Sequence, residues 1–163
     1  MAKQLVDDGS SWLPNPANLK IGMIGAIHSV LRRIVTEKGE VLLRDDTLRQ
    51  RQCHRLPKNG INLVSSVDEL KNVDHLLVTG SAIIHKDIGK ILAILPFIQG
   101  ERVLIGPSAQ ILPQAAFKDG FTIIASSWVE QVKETMQNIS EGGGYHIFQK
   151  YCRKYVIRKP KIP

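Results

Sequence analysis

The chain has 163 residues, 43% hydrophobic and 23% charged, with two cysteines and a formal net charge of +7. That length suits one domain with its own core. The composition is that of a soluble globular protein, with no apolar run near the roughly 20 residues of a membrane span and too few cysteines for a disulfide framework. The charge is unevenly placed. Residues 145–163 carry Lys150, Arg153, Lys154, Arg158, Lys159 and Lys161 and no acid, while the remainder holds 16 basic against 15 acidic residues. The pI of about 9.6 therefore describes a tail, and a nucleic-acid interface is disfavoured.

Residues 1–19 are polar, with Pro14, Asn15 and Pro16, and read as a lead-in arm. They lack the basic start and apolar stretch of a signal peptide, so a cytoplasmic location is expected. Lys20–Gly25 (KIGMIG) is a short apolar run closed by glycine. Ile27–Glu37 then follows helical periodicity, Gly39 marks its end, and Glu40–Arg44 (EVLLR) reads as a second strand. The stretch 46–62 is basic and rich in His, Cys, Pro and Gly, and reads as an excursion.

Asp74–Thr79, Glu101–Ile105 and Phe121–Ala125 are three further strands. Each precedes a helix-compatible segment: Lys86–Leu95, Ala109–Phe117 and Ser127–Ile139, the last capped by Ser126 or Ser127. Beyond Gly142–Gly144, Tyr145–Lys150 and Lys154–Arg158 look like an antiparallel hairpin at the sheet edge, where lysine and arginine commonly guard against further pairing. Five apolar runs alternating with helices predict an α/β fold. The expectation is a single Rossmann-like three-layer domain over residues 20–158, with a mainly parallel five-stranded sheet, a C-terminal antiparallel hairpin, and 159–163 as a basic tail end. The five strands are expected in the order 3-2-1-4-5, with 2-1-3-4-5 as the second choice.

Open parallel sheets bind ligands beyond the carboxyl ends of their strands. Those ends bring Gly25 and Ala26, Asp45 and Asp46, Thr79, Gly80 and Ser81, and Gly106, Pro107 and Ser108. Small residues there let a ligand approach backbone N–H groups and helix N-termini, which suits an anionic group, although βα turns favour the same residues for conformational reasons. The first turn is not G-x-G-x-x-G, and no phosphate-cradling G-x-x-x-x-G-K-[ST] loop is present, so dinucleotide binding is disfavoured. The five histidines and two cysteines show no zinc-type spacing. His28 and His85 follow strand ends and, with Asp45, are candidate ligands for a divalent or transition metal ion. His28 is also the candidate general base.

Several stretches recur together in one order: Ile21–Ala26 (IGMIGA), Val78–Ala82 (VTGSA), Val103–Leu112 (VLIGPSAQIL), Ser140–Gly144 (SEGGG), Ile147-Phe148 and Tyr151–Lys154 (YCRK). This series resembles the putative heavy-metal chelation family over about residues 20–158. The resemblance implies a Rossmann-like domain whose strand-end turns face a cleft. In two-domain members an N-terminal domain like that of enolase closes this cleft. With nineteen residues before the first strand, that partner domain is expected to be absent, leaving a homo-oligomer or a separate subunit to complete the site. The expected function is binding of a small anionic ligand or metal chelate at the turns after the first, third and fourth of the five strands. The alternatives are an enzyme acting on a small anionic metabolite, and an interaction subunit that needs a partner chain.

Overall fold

The structure, a computed structural model, describes residues 12–13, 15–46, 56–57, 59–84 and 88–160. A seven-stranded sheet runs through it. Its strands are β1 (Lys20–Ile24), β2 (Glu40–Arg44), β3 (Ile61–Leu63), β4 (His75–Thr79), β5 (Arg102–Ile105), β6 (Ile123–Val129) and β7 (Cys152–Arg158). They lie in the order β3-β2-β1-β4-β5-β6-β7. All neighbours are parallel except β6 and β7, which pair antiparallel over seven residues, from Ile123↔Arg158 to Val129↔Cys152.

The α/β, mostly parallel reading holds, with two corrections. The five expected strands stand in the order 2-1-3-4-5, the second choice. The 3-2-1-4-5 order emerges only when the short edge strand β3 is counted. Second, Tyr145–Lys150 is not a strand: residues 145–148 form helix α5 and Gln149–Tyr151 a 3-10 turn, so β7 pairs with β6 instead of a hairpin partner.

The helices are α1 (His28–Thr36), α2 (Ile88–Ile94), α3 (Pro113–Lys118), α4 (Val132–Ser140) and α5 (Tyr145–Phe148). In α1, Leu31 and Ile34 stand three apart and are fully buried, as an amphipathic stripe requires. Its chain reversal places Lys38, not Gly39, at a positive φ of 64°. Neither Ser126 nor Ser127 caps α4, because β6 continues through both to Val129 and the N-cap position falls on Gln131.

Alternation along the strands divides the core between the two sheet faces. Met23, Leu77, Val103, Ile105 and Ile123 pack on the face that also buries Leu31 and Ile34 of α1 and Trp12 of the leading segment. Leu76, Val78, Leu104 and Ile124 pack on the other face, with Ile91 and Ile94 of α2 and Phe117 of α3. Because the central strands are covered on both sides, their sequences read as unbroken apolar runs. Among the described residues no helix is long and apolar enough to cross a membrane.

Candidate functional site

β1, β4, β5 and β6 are mutually parallel, so their carboxyl ends open at one end of the sheet. The chain leaves β1 and β4, which are neighbours, toward opposite sides of the sheet order, and a crevice forms between their turns. A cleft of about 240 Å³ lies there, lined by Gly25, Ala26, Asp45, Thr79, Ser81, Gly106, Pro107 and Ser108 among others. Seven of the eight expected ligand-binding residues thus share one surface, together with Asp45. The eighth, Gly80, is buried and not part of the lining.

Two glycines explain how the three turns come so close. At Gly80 an added Cβ would stand 2.2 Å from the Ser108 carbonyl carbon and 2.4 Å from the Ala109 nitrogen. The β4 and β5 turns therefore touch through backbone, and only a residue without a side chain fits between them. Gly25 has φ +83°, and a Cβ there would overlap the Thr79 hydroxyl. The Thr79 and Ser81 hydroxyls are hydrogen-bonded to each other at 3.1 Å. The Ser126 hydroxyl donates to the Gly106 carbonyl at 2.8 Å, fixing the third turn.

Three backbone donors at this end are committed. Gly25 N–H donates to the Arg44 carbonyl at 2.9 Å, and Gly106 N–H to Ala125 at 3.0 Å, both extensions of the strand ladder. Ala26 N–H donates to the Asp45 carboxylate at 2.6 Å. One of the first-turn N–H groups is therefore taken by the protein's own carboxylate, while those of Ile27, His28 and Ser29 at the start of α1 have no partner among the described residues. Ser108 is open as well: neither its N–H nor its hydroxyl has a partner among the described residues.

One charged lining residue, Arg44, escaped the sequence reading as a site component. Arg44, the last residue of β2, and Asp46 both face the cleft and form an ion pair with each other. The Arg44 Nε is buried without a hydrogen-bond partner. A basic residue closing an otherwise apolar strand was the available signal. Ile24, Val67, Ala82, Ile91 and Ile105 supply apolar wall.

The candidate metal and catalytic residues do not converge. His28 is the first residue of α1, is exposed, and is not part of the cleft lining. His85 lies outside the described residues. Among the described residues, no three His, Cys, Asp or Glu side chains are grouped so as to hold a metal ion.

A family model described as putative heavy-metal chelation matches residues 9–158. The chain belongs to this family. Two solved structures from the same family are similar to it, both of proteins of unknown function. One, from Pyrococcus horikoshii, is 21% identical with a TM-score of 0.74, and the match covers 96% of this chain and 60% of that one. The other, from Desulfitobacterium hafniense, is 14% identical with a TM-score of 0.69, covering 88% of this chain and 54% of the other. The chain thus spans little more than half the length of these family members. At such identities the likeness establishes the shared fold. No curated protein matches the chain.

Proposed function

We propose that this member of the family is a binding module that holds a small molecule, in particular a metal chelate, at the carboxyl ends of β1, β4 and β5. The observation that carries this reading is the convergence of three small-residue turns and the Asp45-Asp46 pair on one cleft. The Ser108 N–H and hydroxyl offer hydrogen bonds to a carboxylate or hydroxyl of the ligand, while Asp45 and Asp46 suit a cation. A chelate carries both kinds of group. At about 240 Å³ the cleft is slightly smaller than the roughly 300–1,000 Å³ of ordinary ligand pockets, so it fits a compact ligand or one end of a larger one.

Native mass spectrometry of freshly purified protein, with elemental analysis of the same sample, tests the reading. Titration with nickel–citrate and with nickel alone follows. The expected result is a co-purifying metal or metabolite near stoichiometry, or one chelate bound per chain more tightly than the bare ion. A protein that carries nothing and gains no mass from either probe would overturn it.

A second reading, an interaction subunit whose cleft is completed by another chain, is favoured by a separate observation. Ile84, Leu112 and Val132 lie on the segments leaving β4, β5 and β6 at the cleft end, and they are 85%, 74% and 62% exposed. Exposed large apolar side chains, where they form one patch, are a feature of surfaces that meet a partner. A mass twice that of the chain at micromolar concentration would support it. The third expectation, an enzyme with His28 as general base, gains nothing from the geometry, since His28 is not in the cleft lining.

A further inference from the structure

We propose that β7, the open edge of the sheet, receives an extended segment of another protein as a further strand, and that this segment has acidic residues around an apolar centre. Among the described residues β7 pairs only with β6. The hydrogen-bond parity of that pair can be read at both ends. The Glu130 N–H donates to the Tyr151 carbonyl at 3.0 Å, and the Lys159 N–H to the Thr122 carbonyl at 2.8 Å. Bonded and non-bonded pairs alternate along antiparallel strands, so Arg153, Tyr155 and Ile157 turn their backbone toward β6. Lys154 and Val156 turn theirs outward. The strand opposite agrees with this. Ser127 and Ala125, which stand across from Lys154 and Val156, give their carbonyls to the Gln110 side chain and the Gly106 N–H. The outward N–H and C=O groups of Lys154 and Val156 have no partner among the described residues. Such a row is a template for strand addition.

Charge decides what can use it. Residues 153–159 read Arg-Lys-Tyr-Val-Ile-Arg-Lys, a basic pair on each side of three apolar residues, and no acid occurs anywhere in 145–163. Lys154 and Arg158 are exposed on the same face as Val156, which is 1% exposed between them. Arg153 lies on the other face over Trp128, whose ring stacks on Tyr155 at 5.3 Å. Two carboxylates stand near. Glu130 is 3.6 Å from Arg153 and Glu101 is 3.5 Å from Arg158, both in long pairs open to solvent, and such pairs offset little. A second copy of β7 is a poor occupant. Paired antiparallel about Val156 it sets Lys154 opposite Arg158 and Arg153 opposite Lys159, and like charges across strands destabilise the pair. A strand with acidic residues on each side of three apolar ones meets every basic residue with a carboxylate and Val156 with an apolar side chain. The residues that guard the edge against its own copies thus select for the opposite charge.

The probe is a capped peptide, Glu-Glu-Val-Val-Val-Glu-Glu, titrated into the full-length protein labelled with nitrogen-15. Its comparisons are the analogue with lysine for glutamate, the analogue with proline for the central valine, and an oligothymidylate of equal charge. The glutamate peptide should bind and, at saturation, slow solvent exchange of the Lys154 and Val156 N–H groups by about tenfold or more, because each becomes hydrogen-bonded. The N–H groups of Arg153 and Tyr155, already in the ladder, should change little. The lysine analogue should not bind. The proline analogue keeps the charge but loses a ladder donor, and should bind on the order of tenfold more weakly. Lys154→Glu alters an exposed side chain, should leave the circular dichroism unchanged, and should weaken the glutamate peptide by roughly tenfold. No binding of the glutamate peptide, or binding without slowed exchange at Lys154 and Val156, would overturn the proposal. Equal binding of the proline analogue or of oligothymidylate would do so as well, by showing an edge that attracts any polyanion. A dimer in which these two N–H groups are protected without peptide would give the edge to a second copy and equally overturn it.

Discussion

The two ends of the sheet are built on opposite plans. At the amino ends of the strands, side chains sew the backbone together. Asp74 accepts the Lys20 N–H at 2.7 Å, and His75 Nδ1 accepts the Glu101 N–H at 2.7 Å. The Thr122 hydroxyl donates to Glu101 at 2.6 Å and accepts the Arg102 N–H at 2.9 Å. At the carboxyl ends side chains such as Asp45 and Ser126 also hold backbone, but the turns are built of glycine, alanine, serine and proline, touch backbone to backbone, and leave a cleft. One end spends its polar groups on stability, and the other keeps some of them, Ser108 above all, in reserve. The difference is what the proposed ligand site at the carboxyl ends rests on, since buried polar groups that meet no ligand are ordinarily paired within the protein.

Gly80→Ala should break the open end most severely. Its methyl group would overlap the Ser108 and Ala109 backbone, and backbone cannot swing aside as a side-chain tip can. Overpacking of this kind costs about 1–3 kcal/mol, or on the order of 3–10 °C in melting temperature for a domain of this size. Chemical and thermal denaturation measure it. A Gly80→Ala protein as stable as wild type would show that the turns can separate freely.

The sewn end should break through His75. Burial pushes the His75 pKa below its ordinary value of 6.5, against the pull of Glu101 and Asp74. The folded protein thus favours the neutral ring, whose Nδ1 is the acceptor for Glu101 N–H. Because the folded pKa is below the unfolded one, this contribution is complete above about pH 6.5 and drains away as pH falls from there through the folded value. His75→Ala should cost about 1–3 kcal/mol by stranding the Glu101 donor. His75→Gln should flatten the pH dependence of stability between neutral and mildly acidic solution. If stability falls equally steeply in His75→Gln, the histidine is not its source.

What was legible in the sequence follows from how each part is held. β1, β2, β4, β5 and β6 show as apolar runs because both of their faces are covered. The turns after β1, β4 and β5 show because small residues follow strands. β3 was missed because it has three residues, one of them Leu63 at 58% exposure, so burial imposes no pattern on it. The segment 145–148 reads YHIF, with aromatic and β-branched residues that favour a strand, and four residues are too few for helical periodicity to show. His28 looked like a site residue because it follows a strand end, but the first position of α1 leaves it exposed and out of the cleft. The Asp45 contact and the fit of Gly80 against Ser108 join residues 19 and 28 positions apart in the chain, and no local pattern encodes them.

A smaller loss at the sewn end should come from Thr122→Val, which keeps the shape and removes the hydroxyl that bridges Glu101 and the Arg102 N–H. About 1 kcal/mol is expected, the net worth of such hydrogen bonding, read from the midpoint of urea unfolding at constant slope. An unchanged midpoint would mean that water replaces the hydroxyl at no cost.

Ser108→Ala should do least to the fold and most to discriminate between the ends. Ser108 is exposed and its hydroxyl has no partner among the described residues, so removing it strands nothing, and stability should stay within about 0.5 kcal/mol of wild type. The same change should weaken a ligand in the cleft by roughly 0.5–1.5 kcal/mol, one hydrogen bond, or about two- to tenfold in Kd. Thr122→Val should show the reverse, a loss of stability with nickel–citrate affinity unchanged. That double dissociation is what the contrast between the two ends requires. If Ser108→Ala destabilises the protein while sparing the ligand, the small residues of these turns serve folding alone, and the binding site must be sought elsewhere on the chain.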